Sequence, residues 1–262
     1  MSEKSEPEPQ RSIELEVEVA GTPEEVWRAI ATGPGISSWY VPHEVDEREG
    51  GAAVASFGDA PEMQVPGRVA AWEPPRRIVF DGGEGAGGLA FEWLVEARDG
   101  GSCVVRLVNS GFGTGADWDD QYDGLAEGWP LFLCNLALHC RHFAGRTAVS
   151  MLPTAGSPLP QTEAWPRLSA ALGMPPATRA GDRVELSAGD GLGLAGSVAE
   201  VGPGWVALVL DDPAPGTALV AAERAGPGCQ ISVWSYLYGG GAGAIVARDK
   251  PRWQAWLYAF GT

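Results

Sequence analysis

The sequence predicts an α+β protein in which one plan, an antiparallel sheet with helices gathered on one face, is laid down twice. Three observations lead there. The first half runs strand, helix, a series of short strands and then a long apolar helix. Four of its segments have weaker echoes in the second half, in the same order. Between the halves lies "SMLPTAGSPLPQ", whose prolines and small residues have the composition of a linker.

Residues 1–11 are polar and proline-bearing and read as a disordered tail, with no apolar run of the kind a secretory signal needs. In "SIELEVEVA", Ile13, Leu15, Val17 and Val19 alternate with Glu14, Glu16 and Glu18, which is the pattern of a half-buried strand. "TPEEVWRAIA" begins a helix. Thr22 is placed as N-cap, Pro23 as first helical residue, and Glu25 completes a capping box. "AAVASFG", "QVPGRVAAWE", "RRIVFDG", "LAFEWLVEA" and "SCVVRLVNSGF" follow as strands between Gly, Pro and Asp turns. "EGWPLFLCNLALHCRHF", residues 127–143, closes the half as a helix. Leu125, Trp129, Phe132, Leu136, Cys140 and Phe143 recur at steps of three and four and make one apolar stripe. Pro130 either begins a helical turn or bends a longer helix.

The second half repeats this more loosely. "QTEAWPRLSAALG" echoes "TPEEVWRAIATG", and "GSVAEVGPGWVALVLDD" echoes "GRVAAWEPPRRIVFDGG". "GCQISVWSYLYGGG" and "KPRWQAWLYAFG" echo the last strand and the long helix. The expected organisation is a domain at 12–145, a linker at 146–160 and a degenerate second copy at 161–262. The linker offers no good counterpart to the opening strand, and the final helix is shorter.

"TPEEVWRAI", "WYVPHEVDEREGG", "GRVAAWEPPRRIVFDG", "NSGFG" and "EGW", in that order, resemble the START-like, or polyketide-cyclase-like, superfamily. The branch they are most similar to is that of bacterial homologues of the C-terminal domain of the activator of the ninety-kilodalton heat-shock chaperone ATPase. The resemblance covers residues 12–145 well and the second half weakly. It implies a helix-grip fold, with a curved antiparallel sheet around one long C-terminal helix. It also implies a cavity between them, which in many relatives holds an apolar small molecule.

A net charge of −16 opposes contact with a phosphate backbone, and no basic patch suits an anionic membrane. No stretch approaches the ~20 apolar residues of a membrane helix. The four cysteines form no C-x-x-C pair and read as reduced, mostly buried thiols of a cytoplasmic protein. The three histidines show no zinc spacing, and "YGGGAGA" lacks the parallel unit that a dinucleotide site requires, so neither metal nor cofactor is expected.

The residues expected to line the first cavity and bind a ligand are Trp39, Tyr40, Phe91, Trp93, Phe132, Asn135, Leu136 and His139. Asn135 and His139 are four apart and share a helical face, so they are the candidates to orient a ligand. Trp129 is expected to anchor the helix under the sheet without touching ligand, and His43 to be an exposed loop residue. In the second copy, Trp253 and Trp256 on a short helix are expected to plug the equivalent space. The leading reading is a binding protein for an apolar or amphipathic small molecule, with no catalytic residue assigned. Two alternatives stand beside it: a cyclase- or dehydratase-type enzyme using Asn135, His139 and Tyr40, and a chaperone-related protein-interaction module.

Overall fold

The alternation of apolar residues with glutamates produces strand β1 (Ile13–Ala20). Its wet face is tied to the neighbouring strand, where Glu16 meets Arg106 at 2.7 Å and Glu18 accepts from Ser102 Oγ at 2.7 Å. Helix α1 (Pro23–Ala31) starts on its capping box: Glu25 N donates to Thr22 Oγ1 at 3.3 Å, and Thr22 N donates to Glu25 Oε2 at 2.9 Å. A single helical turn, α2 (Gly33–Ile36), closes directly onto the end of α1. A Cβ on Gly35 would lie 1.9 Å from the Arg28 carbonyl oxygen, so only glycine permits that approach. The structure, a computed structural model, describes residues 11–58, 60–83, 88–113 and 116–261; residues 1–10 of the expected tail lie outside them.

Strands β2 (His43–Val45), β3 (Ala52–Ser56), β4 (Gln64–Glu73), β5 (Arg77–Asp81), β6 (Ala90–Arg98) and β7 (Ser102–Ser110) complete the first sheet, and α3 (Ala116–His142) follows. The strand order is β1-β7-β6-β5-β4-β3-β2, antiparallel throughout. Pro130 sits inside α3 rather than at its start, and its side faces solvent.

The second half contains β8 (Val149–Met151), β9 (Thr154–Ser157), α4 (Gln161–Ala171), β10 (Arg183–Gly189), β11 (Leu192–Gly202), β12 (Trp205–Asp212), β13 (Gly216–Ala225), β14 (Gly228–Leu237) and α5 (Ala242–Gly261). Its sheet runs β10-β11-β12-β13-β14, with β8 and β9 both on the far edge of β14. First strand against last strand, then backwards through the rest, is the order of the first sheet too. Both halves are therefore helix-grip units, the second with a shorter closing helix of 20 residues against 27. The expected linker needs correcting. Residues 149–157 supply the second copy's opening strand, which the linker-like composition conceals. That strand is broken around Pro153, which an edge position tolerates.

From Trp129 to Cys140 helix α3 is apolar almost all round because it is buried there on two sides. Trp129, Leu133, Leu136 and Cys140 join Trp27, Ile30, Ile78, Val105 and Leu107 in the core under the first sheet. Leu131, Cys134, Leu138 and Phe143 pack instead on the second sheet, against Trp205, Ala207, Leu219, Ala221, Tyr236 and Tyr238. The opposite face of that sheet holds its own core with α4 and α5, built on Leu168, Leu172, Leu208, Val220, Trp253 and Leu257. The middle strands of the second sheet are thus covered on both faces. The four cysteines are free and buried, and among the described residues no helix is long and apolar enough to cross a membrane.

One helix serving two cores makes a test. Leu131→Ala and Leu136→Ala lie on opposite sides of α3, and each should cost about 2–5 kcal/mol as a large-to-small change. Each should lower a single denaturation transition reported alike by probes in either half. Two separate transitions, each sensitive to one substitution, would contradict the shared helix.

Candidate functional site

The end of α2 leads into the segment Ser37–Val41, which forms one wall of the first domain's interior. Ser37 Oγ and Ser38 Oγ donate back to Gly33 O and Pro34 O, both at 2.7 Å, so the chain leaves the helical turn in a fixed direction. Trp39 is then drawn inward, its indole N–H donating to Ala29 O at 2.9 Å. It meets Trp93 edge-on at 5.7 Å, and Trp93 meets Trp129 edge-on at 5.5 Å. Tyr40 lies against Trp129 at 5.3 Å and Phe132 at 4.7 Å.

These rings bound a cavity of about 380 Å³ between the first sheet, α2 and the first half of α3. Ile30, Ile36, Ala53, Ala55, Phe80 and Leu125 complete most of its apolar wall. The cavity reaches the surface at the β3–β4 connection, where the lining residues Phe57 and Val65 are 44% and 54% exposed. A larger cleft of about 680 Å³ lies between β1, α3 and β11, but it carries Glu16, Arg141, His142 and Glu200. An apolar lining with a few polar groups is the usual character of a small-molecule site, and that favours the smaller cavity.

Of the residues expected at this site, Trp39, Tyr40, Phe91 and Trp93 line the cavity. Phe132, Asn135, Leu136 and His139 are not among its lining residues. Leu136 is wholly buried in the first core, and Phe132 bridges Tyr40 and Trp234 of the second domain, 5.4 Å away. Asn135 donates from Nδ2 to Trp39 O at 2.7 Å. His139 turns to the second domain, with Nδ1 at 2.7 Å from the Tyr238 hydroxyl. Trp129 is an anchor, 3% exposed, yet it also forms cavity wall. His43 is not an exposed loop residue: it opens β2, is half-buried and lines the cavity.

The second domain grips the cavity's wall segment directly. Tyr238 O–H donates to Ser38 O at 3.0 Å, so its oxygen must accept from His139, which fixes that ring as the Nδ1–H tautomer. Burial lowers the His139 pKa to about 4, which keeps the ring neutral. Ala148 N donates to Ser38 Oγ at 3.0 Å, adding a backbone tie from the inter-domain chain. Farther along α3, Glu223 of β13 faces Gly128, its Oε1 3.2 Å from where a Cβ there would stand. Burial, and then the charge of Glu127, hold the Glu223 carboxyl up at about 7.

Residues 20–140 match the family model described as Activator of Hsp90 ATPase homolog 1-like protein. No curated protein matches the chain. Among solved structures it is similar to the di-domain ARO/CYC BexL from the BE-7585A biosynthetic pathway, at 16% identity over 96% of this chain and 98% of that one, with a TM-score of 0.44. It is similar also to the Aha1 dimer from Colwellia psychrerythraea, at 17% identity over 50% of this chain and 97% of that one, with a TM-score of 0.43. CalU16 from Micromonospora echinospora is 25% identical over 50% of this chain and 75% of its own, with a TM-score of 0.40.

Two outcomes follow from the boundary groups. Tyr238→Phe removes one hydroxyl and leaves the His139 N–H and Ser38 O without their partner, and should cost about 1–3 kcal/mol in urea unfolding. A variant as stable as wild type would show that this hydrogen-bonded chain contributes nothing. Because Glu223 binds its proton more tightly folded than unfolded, the stability it confers is full below the ordinary carboxyl range and is lost as pH rises through about 7. The denaturation midpoint should fall between about pH 5 and pH 8, and Glu223→Gln should flatten that slope. An identical slope in the variant would assign it to other groups.

Proposed function

We propose, for a chain whose residues 20–140 belong to the Activator of Hsp90 ATPase homolog 1-like family of START-like domains, that the first domain binds an apolar small molecule in its aromatic cavity. The observation that carries this reading is the 380 Å³ space walled by Trp39, Tyr40, Phe91, Trp93 and Trp129, with an apolar lip at Phe57 and Val65. That volume lies within the range of roughly 300–1,000 Å³ common for ligand pockets. The second domain does not repeat it in kind. Trp253 and Leu257 of α5 and Leu168 and Leu172 of α4 fill the region under its sheet. Its role in this reading is to hold the first domain's wall, through Tyr238 and Ser38.

The acid–base set Asn135, His139 and Tyr40 has lost its basis, since Asn135 and His139 are engaged at the Ser38–Trp39 backbone and at Tyr238. A protein-docking module calls for a filled core and an apolar outer face. Here the exposed Phe57 and Val65 are instead lining residues of the cavity.

Native mass spectrometry of the purified protein, before and after incubation with an apolar fluorophore such as N-phenyl-1-naphthylamine, tests the reading. Wild type should bind one molecule per chain. Ala55→Trp, which fills the cavity from β3, should weaken binding by about tenfold or more while the circular dichroism spectrum is unchanged. Undiminished binding in that variant would move the ligand elsewhere.

A further inference from the structure

The identity of a ligand is written in the hydrogen bonds its cavity leaves open. Besides the indole N–H groups of its tryptophans, of which Trp129 Nε1 is buried without a hydrogen-bond partner, four side chains with polar termini line this one: Tyr40, His43, Asp81 and Gln121. Asp81 is occupied, since both its oxygens accept from Arg68, at 2.8 and 3.2 Å, and Oδ1 also accepts from Gly83 N at 2.9 Å. Gln121 is exposed. Tyr40 is a donor first: burial, and then the charge of Glu223, keep its phenol protonated.

His43 differs from these. Its backbone N–H donates to Ser37 Oγ at 2.9 Å, which pins the residue to the end of α2. Its ring places Nδ1 2.8 Å from Val41 O. A carbonyl can only accept, so Nδ1 carries the hydrogen. Burial lowers the imidazole's pKa from its ordinary value and so favours the neutral ring. In a neutral ring with hydrogen on Nδ1, Nε2 bears a lone pair. No partner for Nε2 is found among the described residues. The local fold has therefore chosen the tautomer, and the cavity holds one fixed acceptor among aromatic walls.

Charge narrows the ligand further. Asp81 is neutralised by Arg68, so a cationic ligand would find no unpaired carboxylate among the lining residues. An anionic one would meet no unpaired cation there and would have to shed its hydration. Edge-on contacts between Trp39, Trp93 and Trp129 give flat walls set at steep angles.

We propose that the cavity selects a neutral, ring-bearing apolar molecule that carries a hydroxyl group, and that this hydroxyl donates its hydrogen bond to Nε2 of His43. The assignment rests on the binding reading above and goes further by fixing which functional group is recognised and by which atom. A site built around one half-buried acceptor discriminates against the same skeleton lacking the donor, because the ligand then takes that acceptor out of water with nothing in return.

The test compares 1-naphthol with 1-methoxynaphthalene by isothermal titration calorimetry on the full chain. The two share a ring system, but only the first can donate. Wild type should bind the naphthol roughly five- to tenfold more tightly, the size expected for one net hydrogen bond. His43→Phe keeps an aromatic ring at the position and should bind both alike. In wild type labelled with 15N, the His43 Nε2 resonance should move on adding naphthol and stay in place on adding the ether, a reading that needs no variant to fold. Equal affinity for the two probes with an unmoved Nε2 resonance would overturn the His43 assignment and leave the cavity-binding reading standing. Failure of both probes to bind would overturn the two together.

Discussion

The burial of α3 on two opposite sides is the constraint on which the rest of this molecule depends. A surface helix has one apolar stripe and one wet face. This helix carries Leu136 toward one sheet and Leu131 and Leu138 toward another, and its exposed residues fall on its first turns, at Pro130 and at Arg141–His142. Once the helix lies between the sheets, the second sheet must accept apolar cover on both of its faces. The runs Trp205–Leu210 and Gly216–Ala222 are accordingly almost continuously buried.

The same arrangement shapes the cavity. Its wall segment Ser38–Tyr40 is hydrogen-bonded to α1 and α2 through the Trp39 indole and the Ser38 hydroxyl, and to Asn135 on α3 and Tyr238 on the second domain through its carbonyls. Rings held by that many ties can stand around an empty space without collapsing into it. Asn135 and His139 of α3 are thus spent on holding the wall rather than on facing a ligand. The groups left to recognise a ligand come from the sheet side and the α2–β2 connection, where His43 sits.

Much of this was legible in the chain. The Thr22–Glu25 capping box and the alternation of β1 follow from local rules that tertiary contacts did not override, and the helix-grip plan of both halves is the one the resemblance implied. Half of the expected cavity wall, Trp39, Tyr40, Phe91 and Trp93, lines the cavity. The errors have separate causes. Helical periodicity shows that Asn135 and His139 share a face, but it cannot say what that face meets: Asn135 meets the Trp39 carbonyl, and His139 meets Tyr238 of the second domain. The signal existed in "WVALVL" and "TALVAA", which run apolar without alternation as strands covered on both sides do. His43 was overlooked because a three-residue strand leaves no periodicity to detect. The β8–β9 strand was hidden by Pro153, since composition alone cannot separate a broken edge strand from a linker.

A doubled gene ordinarily leaves each copy free to drift, because either can be lost without harming the other. The double burial of α3 removes that freedom. On a lone helix-grip unit, Leu131, Cys134 and Leu138 would face water, and polar replacements there would be harmless. With the second sheet in place, the same replacements bury an unpaired polar group. Each apolar residue gained on that side makes return to independent halves harder. The fusion works as an evolutionary ratchet, keeping the second half in the gene whatever happens to any site of its own.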